Sequence, residues 1–475
     1  MSTANQRCNG NPQKLVVIYP APGTGHLNPT VELGRLLVSH GLAVTIVVRG
    51  QQAGDVPVAA ASSATGDASA NPYLSFHCIP EVSLPSDAPE EGDHVAQVFA
   101  LTRASNHELR DFLRAAIPTA LLLDFFCGCA LDVGAELGIP TYFFYPSCTA
   151  SLAFLLYLPV IHGKTALSFR DLGRELVYVP GVPPIPVNDL PVALLDRSNP
   201  SYRHFLALSE QMCKSRGVIV NSCRSLEPRA TNAVVFGLCT PPEHTTPPIY
   251  CIGPLIKSEA VEKRREECLA WLDTQPKASV LFLCFGSMGR FSAEQTKEMA
   301  VGLEMSGQRF LWVARSPPGD EQPAEPDLDA LLPKGFLDRT KDRGLVVKSR
   351  APQWDVLQHG AVSGFVTHCG WNSILEAVMA GVPMLGWPLY AEQRMNRVFL
   401  VEEMRLAVAV EGCEEGIIVT AEEIEEKVRW LMDSDGGREL RERTLAAMRE
   451  AKEALISDGG GSKTALLKLV EQWKS

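Results

Sequence analysis

The chain has 475 residues, and single domains typically hold ~100–200, so two domains are expected. Hydrophobic residues make up 46 % and charged residues 21 %, an ordinary globular composition with enough apolar material for large cores. The net charge of −11, from 55 acidic and 44 basic residues, argues against nucleic acid or an anionic membrane as the main partner, because both require a basic surface.

Residues 1–13 are polar and lack the apolar core of a secretory leader. LVVIYP (Leu15–Pro20) reads as a strand, Leu27–His40 as a helix and AVTIVV (Ala43–Val48) as the next strand. This βαβ opening implies a parallel sheet with right-handed crossovers. A loop rich in Ala, Ser and Gly, 50–72, is expected to be exposed and mobile. TALLLD (Thr119–Asp124) and TYFFYP (Thr141–Pro146) are further buried strands. The apolar stretch Ser151–Ile161 is too short to span a bilayer and contains Pro159. Thirteen scattered cysteines include no C-x-x-C pair, which fits reduced, buried thiols in the cytosol, and the ten histidines show no metal-ligand spacing.

Prolines and turn residues mark 240–257 as linker-like. The pattern then restarts near residue 280. VLFLCFGS (Val280–Ser287) reads as a strand. Ser292 reads as a helix cap, with Gln295 completing a capping box for a helix to about Ser306. RFLWVA (Arg309–Ala314), GLVVKS, SGFVTH and VPMLGWP follow as strands. A second doubly wound sheet is the economical interpretation, giving domains 1–248 and 267–455 joined by 249–266. Ser316–Asp329, rich in Pro and acids, is a second expected mobile loop.

Ligands of open α/β sheets bind beyond the carboxyl ends of the strands. There the chain gathers glycines and polar groups: APGTGHLNP, FFCG, GSMG, HCGWNS and WPLYAEQ. In HCGWNS, Gly370 lets backbone approach a ligand. The helix that follows offers free N–H groups, and Asn372, Ser373 and His368 add donors, the last either neutral or charged. Together they suit a phosphate or diphosphate. Glu376 lies four residues after Asn372, on the same helix face, where a carboxylate can accept from ribose hydroxyls. PGTGH lacks the third glycine of the dinucleotide fingerprint, and the next strand ends in Arg49 rather than an acid, which disfavours an NAD(P) oxidoreductase. His26 is either a general base, with Asp124 as the carboxylate that orients it, or a hydrogen-bonded core histidine.

At these residues the chain resembles the plant family-one UDP-sugar glycosyltransferases. The stretch RAPQWDVLQHGAVSGFVTHCGWNSILEAVMAGVPMLGWPLYAEQ, Arg350–Gln393, resembles their donor-binding signature. PGTGHLNP, the strand ending in Asp124, and the closing helices extend the likeness over the whole chain. LPKGF…RGLVVKS and RMNRVFLVEEM resemble the subgroup that glycosylates flavonoids and related phenols. The resemblance implies a GT-B fold: two facing Rossmann-like domains, with acceptor on the first, donor on the second, and 456–475 packing back on the first.

By the same resemblance, Ala351 and Gln353 meet uracil and Glu376 binds ribose. Ser287, His368, Asn372 and Ser373 hold the diphosphate. Trp371, Glu392 and Gln393 hold the sugar hydroxyls. His26 is the base and Asp124 its partner in an inverting, metal-independent transfer. No cofactor is implied, the UDP-sugar being a co-substrate, and the family default is a monomer. The signature normally opens with a Trp that stacks on uracil, whereas this chain has Arg350. A guanidinium also stacks on a base, and in some flavonoid-modifying members Arg here accompanies UDP-glucuronate. Gln393 resembles glucose users, so glucose stands ahead of glucuronate. The His–Asp pair serves O- and C-glycosylation alike. A nucleotide-sugar binding protein without catalysis is the remaining alternative.

Overall fold

The computed structural model describes residues 14–50, 72–84, 92–256, 267–319, 325–413 and 416–475. Most of the Ala/Ser/Gly-rich stretch, the linker residues 257–266 and part of the Pro- and acid-rich loop lie outside these.

The first sheet is built from β1 (Leu15–Tyr19), β2 (Ala43–Arg49), β3 (Leu74–Ile79), β4 (Ala120–Asp124), β5 (Thr141–Tyr145), β6 (Val218–Val220) and β7 (Ile249–Cys251). Their order is β3-β2-β1-β4-β5-β6-β7, and all pair in parallel. β4 and β5 are buried at every position. A strand covered on both faces is predominantly apolar, which is why these runs read as hydrophobic blocks broken only at their ends by Asp124 and Thr141.

Between β1 and β2 runs α1 (Thr24–Ser39), which starts three residues earlier than its apolar periodicity suggests. Gly23, at φ 98°, turns the chain sharply off the strand, and the helix begins at once. His26 therefore stands in the first helical turn rather than at the end of a loop. The apolar stretch after β5 forms α2 (Thr149–Lys164), and nearly all of its first ten residues are buried. They fill the core. β7 occupies the first three residues of the stretch 249–266, whose prolines suggest only a linker. Ile249, Tyr250 and Cys251 have the apolar surface to finish the sheet beside β6.

The second sheet comprises β8 (Val280–Cys284), β9 (Arg309–Ala314), β10 (Gly344–Lys348), β11 (Val362–Thr367), β12 (Met384–Gly386) and β13 (Ala407–Ala409), ordered β10-β9-β8-β11-β12-β13 and all parallel. Between β8 and β9 lies α3 (Ala293–Ser306), capped by Ser292 through the Gln295 N–H at 3.1 Å. The Gln295 side chain does not close a capping box. It bonds both backbone groups of Val419, at 2.9 and 2.8 Å, tying in a distant segment. α4 (Trp371–Ala380) leaves β11 after three residues.

The last helix, α5 (Gly461–Lys474), returns to the first sheet. Leu466, Leu469, Val470 and Trp473 join the core of β1, β2 and β4. Trp473 meets Tyr142 edge-on at 5.4 Å, and Ser462 donates to the Gly253 carbonyl at 2.7 Å. Among the described residues no helix is long and apolar enough to cross a membrane.

Candidate functional site

Each sheet has one point where the strand order turns back. In the first it lies between β1 and β4, in the second between β8 and β11. Loops leaving neighbouring strands at such a point diverge to opposite faces and leave a crevice. The residues of interest stand at these two crevices, and the crevices face each other.

At the first, His26 Nδ1 lies 2.8 Å from Asp124 Oδ2. The other carboxylate oxygen accepts the Phe126 N–H at 3.0 Å, so the acid is held from two sides. Asp124 is 1 % exposed and the His26 side chain 23 % exposed. A carboxylate only accepts, so Nδ1 carries the proton and Nε2 presents its lone pair outward when the ring is neutral. Burial disfavours the imidazolium, yet the Asp124 carboxylate outweighs it and holds the His26 pKa above the ordinary histidine value, with Glu392 from the other domain adding to the pull. Phe125 and Phe126 flank the ring at 5.5 and 5.3 Å, and Phe126 continues to Phe99 at 5.1 Å. Both flanking phenylalanines are only partly buried, which sets a run of mutually tilted aromatic rings beside a basic nitrogen.

At the second crevice, the N-terminus of α4 has no side-chain cap. Its free N–H groups point toward the strand ends. The His368 ring sits between two glycines: a Cβ on either Gly286 or Gly370 would come within 2.5 Å of its Nε2. His368 is 6 % exposed, and burial together with the nearby Arg315 guanidinium pushes its pKa down to about 4. It is therefore a neutral imidazole. His368 Nδ1 and Asn372 Oδ1 are buried without a hydrogen-bond partner among the described residues. Cys369 and Ala391, beside this cradle, hold left-handed backbone at φ 63° and 53°, a strain that tends to gather at binding sites.

Two contacts join the crevices. Thr24 Oγ1 meets Ser287 Oγ at 3.1 Å, and Asn372 Nδ2 donates to the Gly25 carbonyl at 3.0 Å. The His26 turn thus lies directly over the cradle. Gln353 and Glu376 are also brought together: the Gln353 amide donates to Ser373 Oγ at 2.9 Å and to Glu376 at 2.6 Å. Ala351 and Arg350 lie at the end of β10, with Arg350 exposed.

Two signature side chains have other occupations. The Trp371 indole N–H donates to the Asn221 carbonyl of the first domain at 2.7 Å, and the ring is 3 % exposed. It holds the domains together, which leaves only its main chain to face a ligand. Gln393 is 3 % exposed, and its amide oxygen accepts the Leu389 and Tyr390 N–H groups at 2.9 and 3.0 Å. It shapes the loop, while Glu392 is the more open of the pair. Thr24, inside the PGTGH loop but not singled out by it, and Arg315, outside every motif, also join the site. For Arg315 the available signal was a lone cation immediately after an apolar strand.

Residues 234–435 match the family model described as UDP-glucoronosyl and UDP-glucosyl transferase. The anthocyanidin 5,3-O-glucosyltransferase of a Rosa hybrid cultivar is 46 % identical, over 97 % of this chain and 98 % of that protein. A phloretin 2'-O-glucosyltransferase of Pyrus communis is 43 % identical over 96 % and 99 %. Among solved structures, the UGT2 of Phytolacca americana, complexed with UDP-2fluoro-glucose and pterostilbene, superposes with a TM-score of 0.84 at 35 % identity, covering 97 % of this chain and 100 % of that one. A UDP-glucosyltransferase of Polygonum tinctorium capable of glucosylating indoxyl gives 0.87 at 37 %, covering 98 % and 99 %.

Proposed function

Since the chain belongs to the plant UDP-glycosyltransferases and has their GT-B fold, we propose that it transfers glucose from UDP-glucose to a hydroxyl of a flavonoid or related phenol, with inversion. The observation that carries this is the His26–Asp124 pair, 2.8 Å apart and set over the cradle of the second domain. His26 Nε2 takes the acceptor proton as its oxygen attacks the anomeric carbon. Asp124 stabilises the imidazolium that forms. UDP departs on the opposite side, so an α-linked donor gives a β-glycoside. Charge on the departing diphosphate is met by the α4 N-terminus, Asn372, Ser373, Ser287 and neutral His368. Glu376 and Gln353 serve the nucleoside, with Ala351 beside them. Glu392 serves the hexose, and Gln393 shapes the loop that carries it.

The acceptor class rests on two supports. The relatives are named for anthocyanidin and phloretin, and Phe125, Phe126 and Phe99 form a run of ring contacts beside His26. The test is turnover of a flavonoid panel with UDP-glucose, product masses being read directly. His26→Ala should lose at least about a hundredfold in kcat. Unchanged turnover would remove His26 as the base.

Arg350 supports a second reading, in which the donor is UDP-glucuronate and the guanidinium pairs with its carboxylate. Arg350 is exposed, at the end of edge strand β10; its backbone N–H donates to the Lys348 carbonyl at 2.7 Å, while its side chain has no hydrogen-bond or ion-pair partner among the described residues. Glu392 and Gln393, however, follow β12, four strands away, roughly 19 Å at strand spacing. That distance favours stacking on the base at the nucleoside end, so glucose is the donor we place first. Glucuronide formed by the native protein and lost in Arg350→Trp would reverse that order.

A further inference from the structure

Arg315 follows β9, which pairs with β8 so that Trp312 stands beside Leu283. β8 in turn sets Cys284 beside Thr367 of β11. The next residues of all three strands place Arg315, the Gly286–Ser287 turn and His368 in one row at the carboxyl ends. The Arg315 Nη1 donates to the Ser287 main-chain carbonyl. Ser287 is the residue whose hydroxyl meets Thr24 across the cleft.

The guanidinium is half-buried. The titratable groups acting on it are Cys284, Tyr390 and a second cation, Arg290. Neither arginine forms an ion pair with a carboxylate among the described residues. Placing two cations together, one of them partly desolvated, with no acid between them is unfavourable unless an anion comes to the site. His368 does not supply positive charge, because it is neutral. Asn372, Ser373 and Ser287 are neutral as well.

We propose that Arg315 is the cation that binds the diphosphate of the sugar nucleotide and offsets its charge as UDP departs. In the transfer, the bond between the anomeric carbon and the β-phosphate oxygen breaks, and its electron pair stays on that oxygen. The acceptor oxygen forms the new bond, and its proton passes to His26. On this proposal the negative charge gained by the β-phosphate is met by the row that Arg315 occupies. The inference rests on the transferase function proposed above and adds a residue outside the Arg350–Gln393 signature.

The test uses the full chain and two calorimetric titrations, one with UDP and one with uridine, which shares the base and ribose but has no phosphate. Arg315→Gln keeps a donor for the Ser287 carbonyl and removes the charge. Arg315→Lys keeps a charge. Arg315→Gln should weaken UDP about tenfold or more and leave uridine unchanged, while Arg315→Lys should recover much of the loss. UDP binding by Arg315→Gln equal to the native protein would overturn the proposal. Equal loss of UDP and uridine would also overturn it, since Arg315 would then merely hold the loop. Failure of the native protein to bind UDP at all would instead sink the transferase function itself, and this inference with it.

Discussion

His26 Nδ1 and Asp124 Oδ2, 98 positions apart in the chain, stand 2.8 Å from each other because β1 and β4 are neighbours in the first sheet. The strand between which the order turns back and the helix that starts at Thr24 bring a ring and a carboxylate to one point. The chemical consequence is a histidine whose pKa is raised against the pull of its own burial.

That relationship sets a pH profile. The proposed base works only when neutral, so kcat/KM should fall as pH drops through the raised pKa of His26. Asp124→Asn removes the largest upward influence and leaves burial opposed only by Glu392. Its acid limb should therefore move to lower pH, while the plateau falls by about a hundredfold or more as the imidazolium loses its partner. The measurement is kcat/KM against pH for both proteins. An acid limb that stays in place would show that another group limits the rate.

His368 makes the opposite contribution to stability. Its folded pKa of about 4 lies below the unfolded value of 6.5, so the unfolded chain binds the extra proton first as pH falls. Its contribution is fully present above pH 6.5 and is lost as pH drops toward 4. The expected loss is about 3 kcal/mol by pH 4. Urea midpoints across that range, compared with His368→Asn, isolate the effect. Parallel curves would mean that the ring takes up its proton without penalty.

Trp371→Phe separates a strut from a sugar ligand. The substitution keeps the ring but leaves the buried Asn221 carbonyl without its donor, which costs about 1–3 kcal/mol. UDP affinity should change little, because the indole faces the other domain. A large drop in affinity for the intact sugar nucleotide at unchanged stability would return the side chain to the donor pocket.

Trp473→Ala should destabilise the first domain by about 3–5 kcal/mol. The ring is 2 % exposed and packs in the same cluster as Val16, Ile18 and Leu122. Thermal unfolding monitors the loss. A change well under 1 kcal/mol would mean that the closing helix is an appendage to the first sheet and not a part of its core.

Much of this architecture is legible in the chain because doubly covered parallel strands such as Leu121–Leu123 and Leu281–Leu283 are unbroken apolar runs. The strands 218–220, 249–251 and 407–409 are three residues each, too short for any period to show, and they form only because a neighbouring strand offers its edge. The polar cluster from His368 to Ser373 is equally visible. The direction of each side chain is not, since it depends on the opposite domain. Trp371 points at Asn221 and Gln393 at its own loop for reasons of packing. Arg315 lacks a motif altogether, and its meaning comes from the two strands beside it.

The bond from Trp371 to Asn221 also constrains how the enzyme breathes. It begins one residue past the glycine of the cradle and ends at the carboxyl edge of β6, so it fastens the domains immediately beside the crevice of the second sheet. With the Arg397–Asp189 and Arg229–Glu403 pairs at 3.0 and 2.6 Å it is one of several ties that a rotation widening the cleft must turn about or break. The contacts of Thr24 and Asn372 cross the cleft with exposed partners and yield more readily. A tilt of the His26 turn away from the cradle breaks these exposed contacts, whereas a shift of the inner edge costs the buried bond from Trp371 to Asn221.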